Sequence, residues 1–478
     1  MNKKTILTLA TVGFVTLGVI LMSWFLFVNP VADLVENIPG MDNRPAFLSG
    51  GGETVEIGAI FAAFDGTPSL FGGSWPRFRG EDFTNIITDN IALADSWGDT
   101  TPPLLWSVDL GEGHSGPAIA EGRVYVMDYD EQQRADMLRC FSLDDGKEIW
   151  RRGYNVYIKR NHGMSRTVPA VSGGYVVTIG PKCHVMCVDA DTGDFRWGID
   201  LVKEYGAEVP LWYTGQCPLI DGPLAIIAVG GSALMIAVEC ETGRVVWETP
   251  NPHDWKMSHS SIVPYTIHGR EMYVYCALGG ITGVSSRGED AGIALLETDL
   301  WNNNVIVPSP LYIGDGRLFV TAGYGAGSMM LDIIEENGSL RAEMVQRVAP
   351  DEGIASEQQT MIYYDDHLYS VLPKDAGPNR NEFVCCDPDD IGRFVWTSGT
   401  MSRFGLGPYI VADGKFYILS DDGVLTVMRA DTTGPVILGQ AKILDGHDAW
   451  GPMALVNGRL LARDSRRMVC VDLRAAAR

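Results

Sequence analysis

Six polar side chains stand just before apolar strands, at equivalent points of a long repeat, and their chemistry suits a polar or anionic ligand. They are His114, Arg166, Gln216, His259, Glu357 and Arg403. Imidazole, guanidinium and amide groups donate hydrogen bonds and a carboxylate accepts them, so a pocket built from these groups would hold a ligand through several directed contacts. Neighbouring loop segments add Arg160, His162, Trp212, Tyr213, Trp255 and Lys256. The alternative is a water-filled opening whose charges pair with one another.

The nine cysteines offer a second kind of chemistry, but their positions favour packing. Nine is an odd number, so at least one thiol is free or pairs outside the chain. Six of them fall at a similar place in the repeat, on the strand before an acidic turn, which is typical of small buried strand residues. Cys183, His184 and Cys187 share one strand and cannot converge on a metal ion by themselves, so no metal site is predicted. The adjacent Cys385 and Cys386 should point to opposite faces of a strand.

The elements that position the six polar residues are indicated by eight tight turns, each followed by a strand of β-branched and aromatic residues. The turns centre on positions 122, 173, 222, 269, 316, 366, 414 and 458, at intervals of 44 to 51 residues. Asp-Gly and Asn-Gly pairs between apolar runs predict hairpins, since glycine tolerates the positive φ of tight hairpin turns. Short strands repeated at such a period predict a propeller or a solenoid.

A second turn in each repeat ends in a strand that carries a tryptophan, as at Trp150, Trp197 and Trp247. Each repeat is therefore about four short strands, which is one propeller blade. The last repeat stops before its tryptophan strand, but Trp106 lies one period before Trp150. We therefore expect residues 103–109 to complete the eighth blade and close the ring, which removes the exposed sheet edges of the first and last blades.

The run Gly116–Val126, followed by Cys187–Gly193 and Trp197, resembles the pyrroloquinoline-quinone (PQQ) repeat. The resemblance covers residues 103–474 and implies an all-β, eight-bladed β-propeller. Proteins with this repeat include quinoprotein alcohol dehydrogenases and non-enzymatic propellers of the outer-membrane barrel-assembly machinery. By the same resemblance, residues just before each innermost strand line the central channel, so the six polar residues are expected to face one axial funnel.

A quinoprotein dehydrogenase implies PQQ and a calcium ion held by Glu, Asn and Asp side chains, with an Asp base and a Trp under the quinone. Calcium prefers hard oxygen ligands. Glu357 is the one carboxylate that the repeat places on the ring, and no Asp or Asn stands at the equivalent point of another blade. The sequence therefore favours a protein without a cofactor and without catalytic residues. An alcohol or sugar dehydrogenase with PQQ and calcium remains the alternative.

The N-terminus carries an uncharged run, Thr5–Val28, after Lys3 and Lys4. About 20 apolar residues cross a hydrocarbon core, and basic residues stay on the cytoplasmic side. We expect residues 1–28 to be a membrane anchor, with a cleaved signal peptide as the alternative, residues 29–102 to be a tether and arm, and residues 103–478 to be the propeller. The propeller would then lie outside the cytoplasm of a bacterial cell, joined to the membrane by one helix.

The net charge of −23 argues against nucleic acid as a partner, because nucleic acids select basic surfaces. The interpretation that the residues favour is a scaffold or recognition propeller of the cell envelope. It would bind a protein or an envelope polymer at one propeller face.

Overall fold

The N-terminal elements precede the repeats. The computed structural model describes residues 2–27, 55–161 and 163–475. Helix α1 spans Lys3–Phe27, and its segment Lys3–Trp24 is long and apolar enough to cross a membrane. Strands β1 (Ile60–Ala63), β2 (Ile86–Ile87) and β3 (Leu104–Asp109) follow it. Val28 and the first part of the expected tether, 29–54, lie outside the described residues.

The first four blades are antiparallel sheets of four consecutive strands. Blade 1 contains β4 (Ala118–Ala120), β5 (Arg123–Asp130), β6 (Ala135–Ser142) and β7 (Glu148–Asn155). Blade 2 contains β8 (Ala170–Ser172), β9 (Tyr175–Ile179), β10 (His184–Asp189) and β11 (Phe195–Asp200), and helix α2 (Leu201–Tyr205) follows it. Blade 3 contains β12 (Leu219–Asp221), β13 (Leu224–Ala228), β14 (Ala233–Glu239) and β15 (Val245–Pro250). Blade 4 contains β16 (Val263–Ile267), β17 (Arg270–Ala277), β18 (Gly280–Ser285) and β19 (Ala294–Thr298).

The remaining four blades confirm the eight-bladed propeller predicted from the repeat. Blade 5 contains β20 (Leu311–Gly314), β21 (Arg317–Ala322), β22 (Gly327–Glu336) and β23 (Ser339–Val348). Blade 6 contains β24 (Ile362–Tyr364), β25 (His367–Val371), a 3₁₀ turn (Gly377–Asn379), β26 (Phe383–Cys386) and β27 (Phe394–Thr397). Blade 7 contains β28 (Tyr409–Ala412), β29 (Lys415–Leu419), β30 (Val424–Arg429) and β31 (Ile437–Lys442). Blade 8 contains β32 (Ala454–Val456), β33 (Arg459–Arg463) and β34 (Arg467–Asp472) from the C-terminus, with β3 as its outer strand.

The tryptophans of the repeat join neighbouring blades. Trp150 of blade 1 donates a hydrogen bond from Nε1 to the carbonyl of Asp191 in blade 2 at 3.1 Å. Trp106 makes the same contact across the ring closure, with Nε1 3.0 Å from the carbonyl of Leu143 in blade 1. Its ring lies so close to Gly146 that a Cβ there would be 2.7 Å from the indole, and Gly193 and Gly243 lie against Trp150 and Trp197 in the same way. The predicted closure by the N-terminal strand is therefore confirmed.

The two ends of the propeller differ in their loops. The turns between the first and second strand of every blade have two residues each, and these turns lie at one end, which we call the short-turn face. Seven of them, such as Glu121-Gly122, have positive φ at both positions, which matches the twist of a hairpin. The connections between blades lie at the opposite end, the long-loop face, and run from 8 residues (110–117) to 18 residues (201–218).

The N-terminal arm, residues 55–102, covers the short-turn face and then enters the ring. Strand β1 adds a fifth strand to the outer edge of blade 1, where Ile60 lies opposite Gly153. The amide of Ser69 donates to the carbonyl of Gly122, and the amide of Leu93 donates to Asp413, so the arm reaches the short turns of blades 1 and 7. The arm therefore contacts the short-turn face and also fills part of the channel.

All nine cysteines are buried free thiols. Cys385 packs in the cluster with Tyr369 and Trp396, whereas Cys386 packs in the cluster with Phe319 on the other side of blade 6. The prediction that this adjacent pair points to opposite faces of its strand is confirmed.

Candidate functional site

An axial cavity of about 530 Å³ opens on the long-loop face, and it is the candidate site. Its wall is formed by residues from the connections between blades, by one residue of the arm, and by the loop between the second and third strands (the second loop) of blades 5 and 6. They are Phe78, His114, Arg166, Trp212, Gly215, Cys217, His259, Ser261, Val307, Tyr324, Glu357, Gln358, Gln359, Lys374, Asp375, Leu406, Trp450 and Pro452. Its volume falls in the range of about 300–1,000 Å³ that ligand pockets occupy.

The segment 75–87 of the arm, which we call the channel plug, lies against the inner strands of four blades. Trp75 exchanges two main-chain hydrogen bonds of 2.8 Å with Ile119 of blade 1. The carbonyl of Pro76 accepts from Val171 of blade 2, and β2 runs parallel to β28 of blade 7. Because Phe78 belongs to the plug and also lines the cavity, the plug forms the cavity's inner end.

Arg79 fixes the plug to blade 6. Its guanidinium donates to the carbonyls of Thr360 at 2.6 Å and Met361 at 3.0 Å, just before β24. It also donates to the carbonyls of Phe83 and Thr84 within the plug. The residue is 3% exposed, and burial lowers the pKa of its guanidinium to about 10. The side chain therefore remains a cation that four carbonyl oxygens solvate.

Four of the six residues singled out in the sequence line this one cavity: His114, Arg166, His259 and Glu357. They come from the entrances to blades 1, 2, 4 and 6. Arg166 and Glu357 precede blades that are four apart in a ring of eight, so they stand on opposite sides of the axis. The strand phase inferred from the repeat therefore places these four as expected.

The structure does not bring Gln216 and Arg403 into the cavity wall. The Gln216 amide is fully buried and pairs with the main chain of Ala228, accepting at 2.8 Å and donating at 3.0 Å. Arg403 donates to the carbonyls of Arg380 and Pro378 and lies 3.8 Å from Glu382. The Gln216 side chain thus continues the main-chain hydrogen bonding of its own blade. Leu406, three residues after Arg403, lines the cavity where Arg403 was expected.

The neighbouring loop residues that the sequence suggested also differ in whether they line the cavity. Trp212 lines the cavity, whereas Arg160 is exposed at the long-loop face and pairs with Glu112 at 2.7 Å. Tyr213 and Trp255 are buried in the packing below the loops, and Lys256 pairs with Asp254. His162 lies outside the described residues. The sequence did not predict Phe78, Tyr324, Lys374 and Asp375 as wall residues. The last three lie in second loops, which the alternation of strands places on the long-loop face.

One wall of the cavity carries a partly buried cation. The guanidinium of Arg166 donates to the carbonyls of Asn161 at 2.8 Å and Gly163 at 3.3 Å, and burial lowers its pKa to about 10. Burial and the neighbouring charge of Arg166 lower the pKa of His259 to about 3. At neutral pH, Arg166 is therefore charged and His259 is not.

The opposite wall carries hydrogen-bond acceptors. Glu357 is 6% exposed and lies 3.7 Å from Lys374 Nζ. Its Oε2 accepts from the amide of Lys374 at 3.4 Å. Burial and the Glu357 charge raise the pKa of Tyr324 to about 12. A Cβ added at Gly323 would lie 2.5 Å from Glu357 Cγ, so the glycine permits the position that this carboxylate occupies.

Aromatic rings form much of the remaining wall. Trp212 stacks between Tyr324, with centroids 5.3 Å apart, and His259, at 6.4 Å. Trp450 stacks on His114 at 3.9 Å. Trp212 and Tyr324 have φ of 63° and 57°, a left-handed backbone that side chains other than glycine rarely adopt. Such strained residues persist where the surrounding structure holds them and they cluster at functional sites.

The wall does not fit the calcium ion that a quinoprotein dehydrogenase requires. Calcium takes about six to eight oxygen ligands. The carboxylates on the wall are Glu357, which pairs with Lys374, and Asp375, whose Oδ2 accepts from the amide of Gly325 at 2.6 Å. In the described ranges, no group of three or more His, Cys, Asp and Glu side chains is placed to hold a metal ion.

Comparison with known sequences gives a family match. The model of the family described as "Outer membrane protein assembly factor BamB" matches residues 134–398, more than half of the chain. The BamB of Escherichia coli (strain K12) is 30% identical over 117 residues, which are 22% of this chain and 28% of that protein. The BamB of Salmonella typhimurium is 26% identical over 113 residues. The chain thus matches less than a third of the length of these relatives.

Comparison with solved structures gives the same fold at low identity. The BamB of Moraxella catarrhalis superposes with a TM-score of 0.51 and 14% identity, covering 77% of this chain and 99% of that one. The quinohemoprotein alcohol dehydrogenase of Comamonas testosteroni gives a TM-score of 0.57 at 13% identity, covering 85% of this chain and 81% of that one. At this identity the likeness shows the propeller fold, which proteins of different function share.

Proposed function

The chain belongs to the outer membrane protein assembly factor BamB family, and from that premise we propose that it is a non-catalytic scaffold of the cell envelope. It binds a protein partner that takes part in assembling envelope proteins. The matched relatives carry the name of an assembly factor, and the match to residues 134–398 is the observation that carries the proposal.

The partner binds at the long-loop face. The arm already occupies the short-turn face, through contacts such as Ser69 with Gly122 and Leu93 with Asp413. The long-loop face contains the mouth of the axial cavity. Met401 is 95% exposed there and Tyr324 is 54% exposed, and exposed large side chains around a concavity suit a docking surface.

The propeller lies outside the cytoplasm and α1 joins it to the membrane. Lys3 and Lys4 precede the apolar segment, and basic residues at this position support an N-terminus on the cytoplasmic side. The compartment of a protein captured by the propeller in living cells tests this placement, because a cytoplasmic partner would contradict it.

The competing function, oxidation of an alcohol or sugar with PQQ, is tested on the full-length protein in detergent. PQQ and Ca²⁺ are added at equimolar and tenfold excess, and binding is followed by the quenching of tryptophan fluorescence and by reduction of an artificial dye with ethanol or glucose. We expect no saturable quenching and no dye reduction, because the two carboxylates of the wall are already engaged. Saturable binding together with dye reduction would overturn the scaffold and favour a dehydrogenase.

A further inference from the structure

We propose that Cys187 and Cys240 form a dithiol pair that a disulfide oxidant of the cell envelope closes into a covalent link between blades 2 and 3. The pair is a modification site, and its co-reactant is a disulfide compound, either a thiol–disulfide oxidoreductase or glutathione disulfide. The inference goes beyond the proposed scaffold, because it concerns how two blades are joined and not what the long-loop face binds.

The boundary between blades 2 and 3 brings the two side chains together. Cys187 lies on β10, and Cys240 directly follows β14 of the next blade. Trp197 donates from Nε1 to the carbonyl of Cys240 at 2.8 Å, which ties the blades at this level. The Sγ atom of Cys187 lies 3.5 Å from the same carbonyl oxygen. Both cysteines are fully buried and belong to one apolar cluster, so no water separates them from the packing of the boundary.

The two thiols also interact with each other. The structure holds them as free thiols, and the Cys187 side chain hydrogen-bonds the Cys240 side chain. This contact lowers the pKa of Cys240, whereas the contact and burial together raise the pKa of Cys187. Cys240 is therefore the first of the pair to become a thiolate, the species that attacks a disulfide. The contact brings the sulfur atoms within reach of each other, as a bond of about 2.05 Å requires.

Cys140 of blade 1 provides an internal comparison. It lies opposite the tryptophan of its own blade, as Cys187 does in blade 2. The residue of blade 2 that corresponds to Cys240 of blade 3 is Ala190, which carries no thiol. The repeat therefore accounts for a small buried cysteine at the position of Cys187 but not for a second cysteine across the blade boundary.

The oxidation balances as a disulfide exchange. The Cys240 thiolate attacks one sulfur of the oxidant, whose other sulfur leaves as a thiolate. The Cys187 thiol then gives up its proton and attacks the Cys240 sulfur of the mixed disulfide, and the second sulfur of the oxidant leaves. The pair loses two electrons and two protons, and the oxidant gains both. Because both side chains are buried, the exchange takes place while the chain folds or when the blade boundary opens locally.

The test counts thiols in the full-length protein in two settings. One sample is isolated from the cell envelope, and the other is reduced in detergent and then held with glutathione disulfide until its alkylation pattern no longer changes. Each is denatured with N-ethylmaleimide, digested without reduction and analysed by mass spectrometry. We expect peptides joined through Cys187 and Cys240, and two alkylated cysteines fewer than the nine of the reduced chain. The linked protein should unfold at a higher guanidinium concentration than the reduced protein, since a cross-link restricts the unfolded chain.

Cys140→Ala is the matched control, and it should keep the link. Cys187→Ala and Cys240→Ser should each remove the link and the difference in unfolding midpoint between oxidised and reduced protein. Fragmentation of the joined peptides separates Cys187 and Cys240 from their neighbours in sequence, Cys183 and Cys217. Nine alkylated cysteines in both settings, or a link between other cysteines, would overturn the proposal. A link that forms with glutathione disulfide but is absent from the envelope sample would contradict oxidation in the cell and count against the placement of the propeller outside the cytoplasm.

Discussion

Replacing Trp106 with alanine should lower the free energy of unfolding by about 3–5 kcal/mol, the cost of truncating a large buried aromatic side chain. Trp106 is 6% exposed, and its hydrogen bond to Leu143 is one of the contacts that join the last blade to the first. The variant loses the hydrogen bond to Leu143 and leaves a void against Gly146. Guanidinium unfolding followed by circular dichroism measures the change.

Two further variants serve as controls for Trp106→Ala. Trp150→Ala removes the same contact at an internal blade boundary and should destabilise by a similar amount, because the ring closes with the geometry of every other boundary. Val395→Ala, on the exposed outer strand of blade 6, should stay within about 0.5 kcal/mol of the wild type. A Trp106→Ala protein that unfolds with the wild type would show that the ring is not held by this contact.

Replacing Arg79 with alanine should release the channel plug and lower the free energy of unfolding by at least about 2 kcal/mol, because a buried carbonyl left without a donor costs about 1–3 kcal/mol. The carbonyls of Phe83, Thr84, Thr360 and Met361 lose the Arg79 donor together, although that of Thr360 also accepts from the Tyr409 hydroxyl at 3.5 Å. Arg79→Lys should recover little of the loss, since one ammonium group cannot reproduce a planar fork that serves four acceptors.

The change should also be local, which separates it from a general loss of stability. In Arg79→Ala, hydrogen exchange should accelerate at the amides that bond to the plug, Ile119, Val171 and Val411. The amides of outer strands such as β15 should keep their protection. Arg160→Ala, which removes an arginine that is 70% exposed, should change neither quantity. Unchanged exchange at Ile119 would contradict the assignment of Arg79 as the residue that holds the plug.

Local chemistry made the propeller predictable from the sequence. Turns such as Asp413-Gly414 and Asn457-Gly458 adopt the positive φ at both positions that Asp, Asn and Gly tolerate best. The repeated turn and tryptophan predict four strands per blade. Trp106 lies one period before Trp150, which predicts that the N-terminal strand closes the ring. The same phase places His114, Arg166, His259 and Glu357 around one axis, because equivalent residues of a repeat occupy equivalent places.

Contacts between residues far apart in sequence explain what the repeat missed. Gln216 stands at the right phase, but its amide satisfies the main chain of β13 instead of facing the axis. Arg403 lies in the connection 398–408, but its guanidinium donates to the carbonyls of Arg380 and Pro378 in the second loop of blade 6, and Leu406 lines the cavity instead. Phe78 belongs to an arm that lies outside the repeat, so the repeat period does not predict its position. Tyr324 and Lys374 belong to second loops, which the count of innermost strands did not include.

Photo-cross-linking in living cells tests the central claim most directly, namely that this propeller is a scaffold whose partner sits on the long-loop face. Benzoylphenylalanine is introduced at Met401 on that face and, separately, at Leu70 of the arm on the short-turn face, both of which are almost fully exposed. We expect irradiation to give a discrete adduct with one envelope protein at Met401 and none at Leu70. An adduct at Leu70 alone, a cytoplasmic protein at Met401, or no protein adduct at either position would contradict the account.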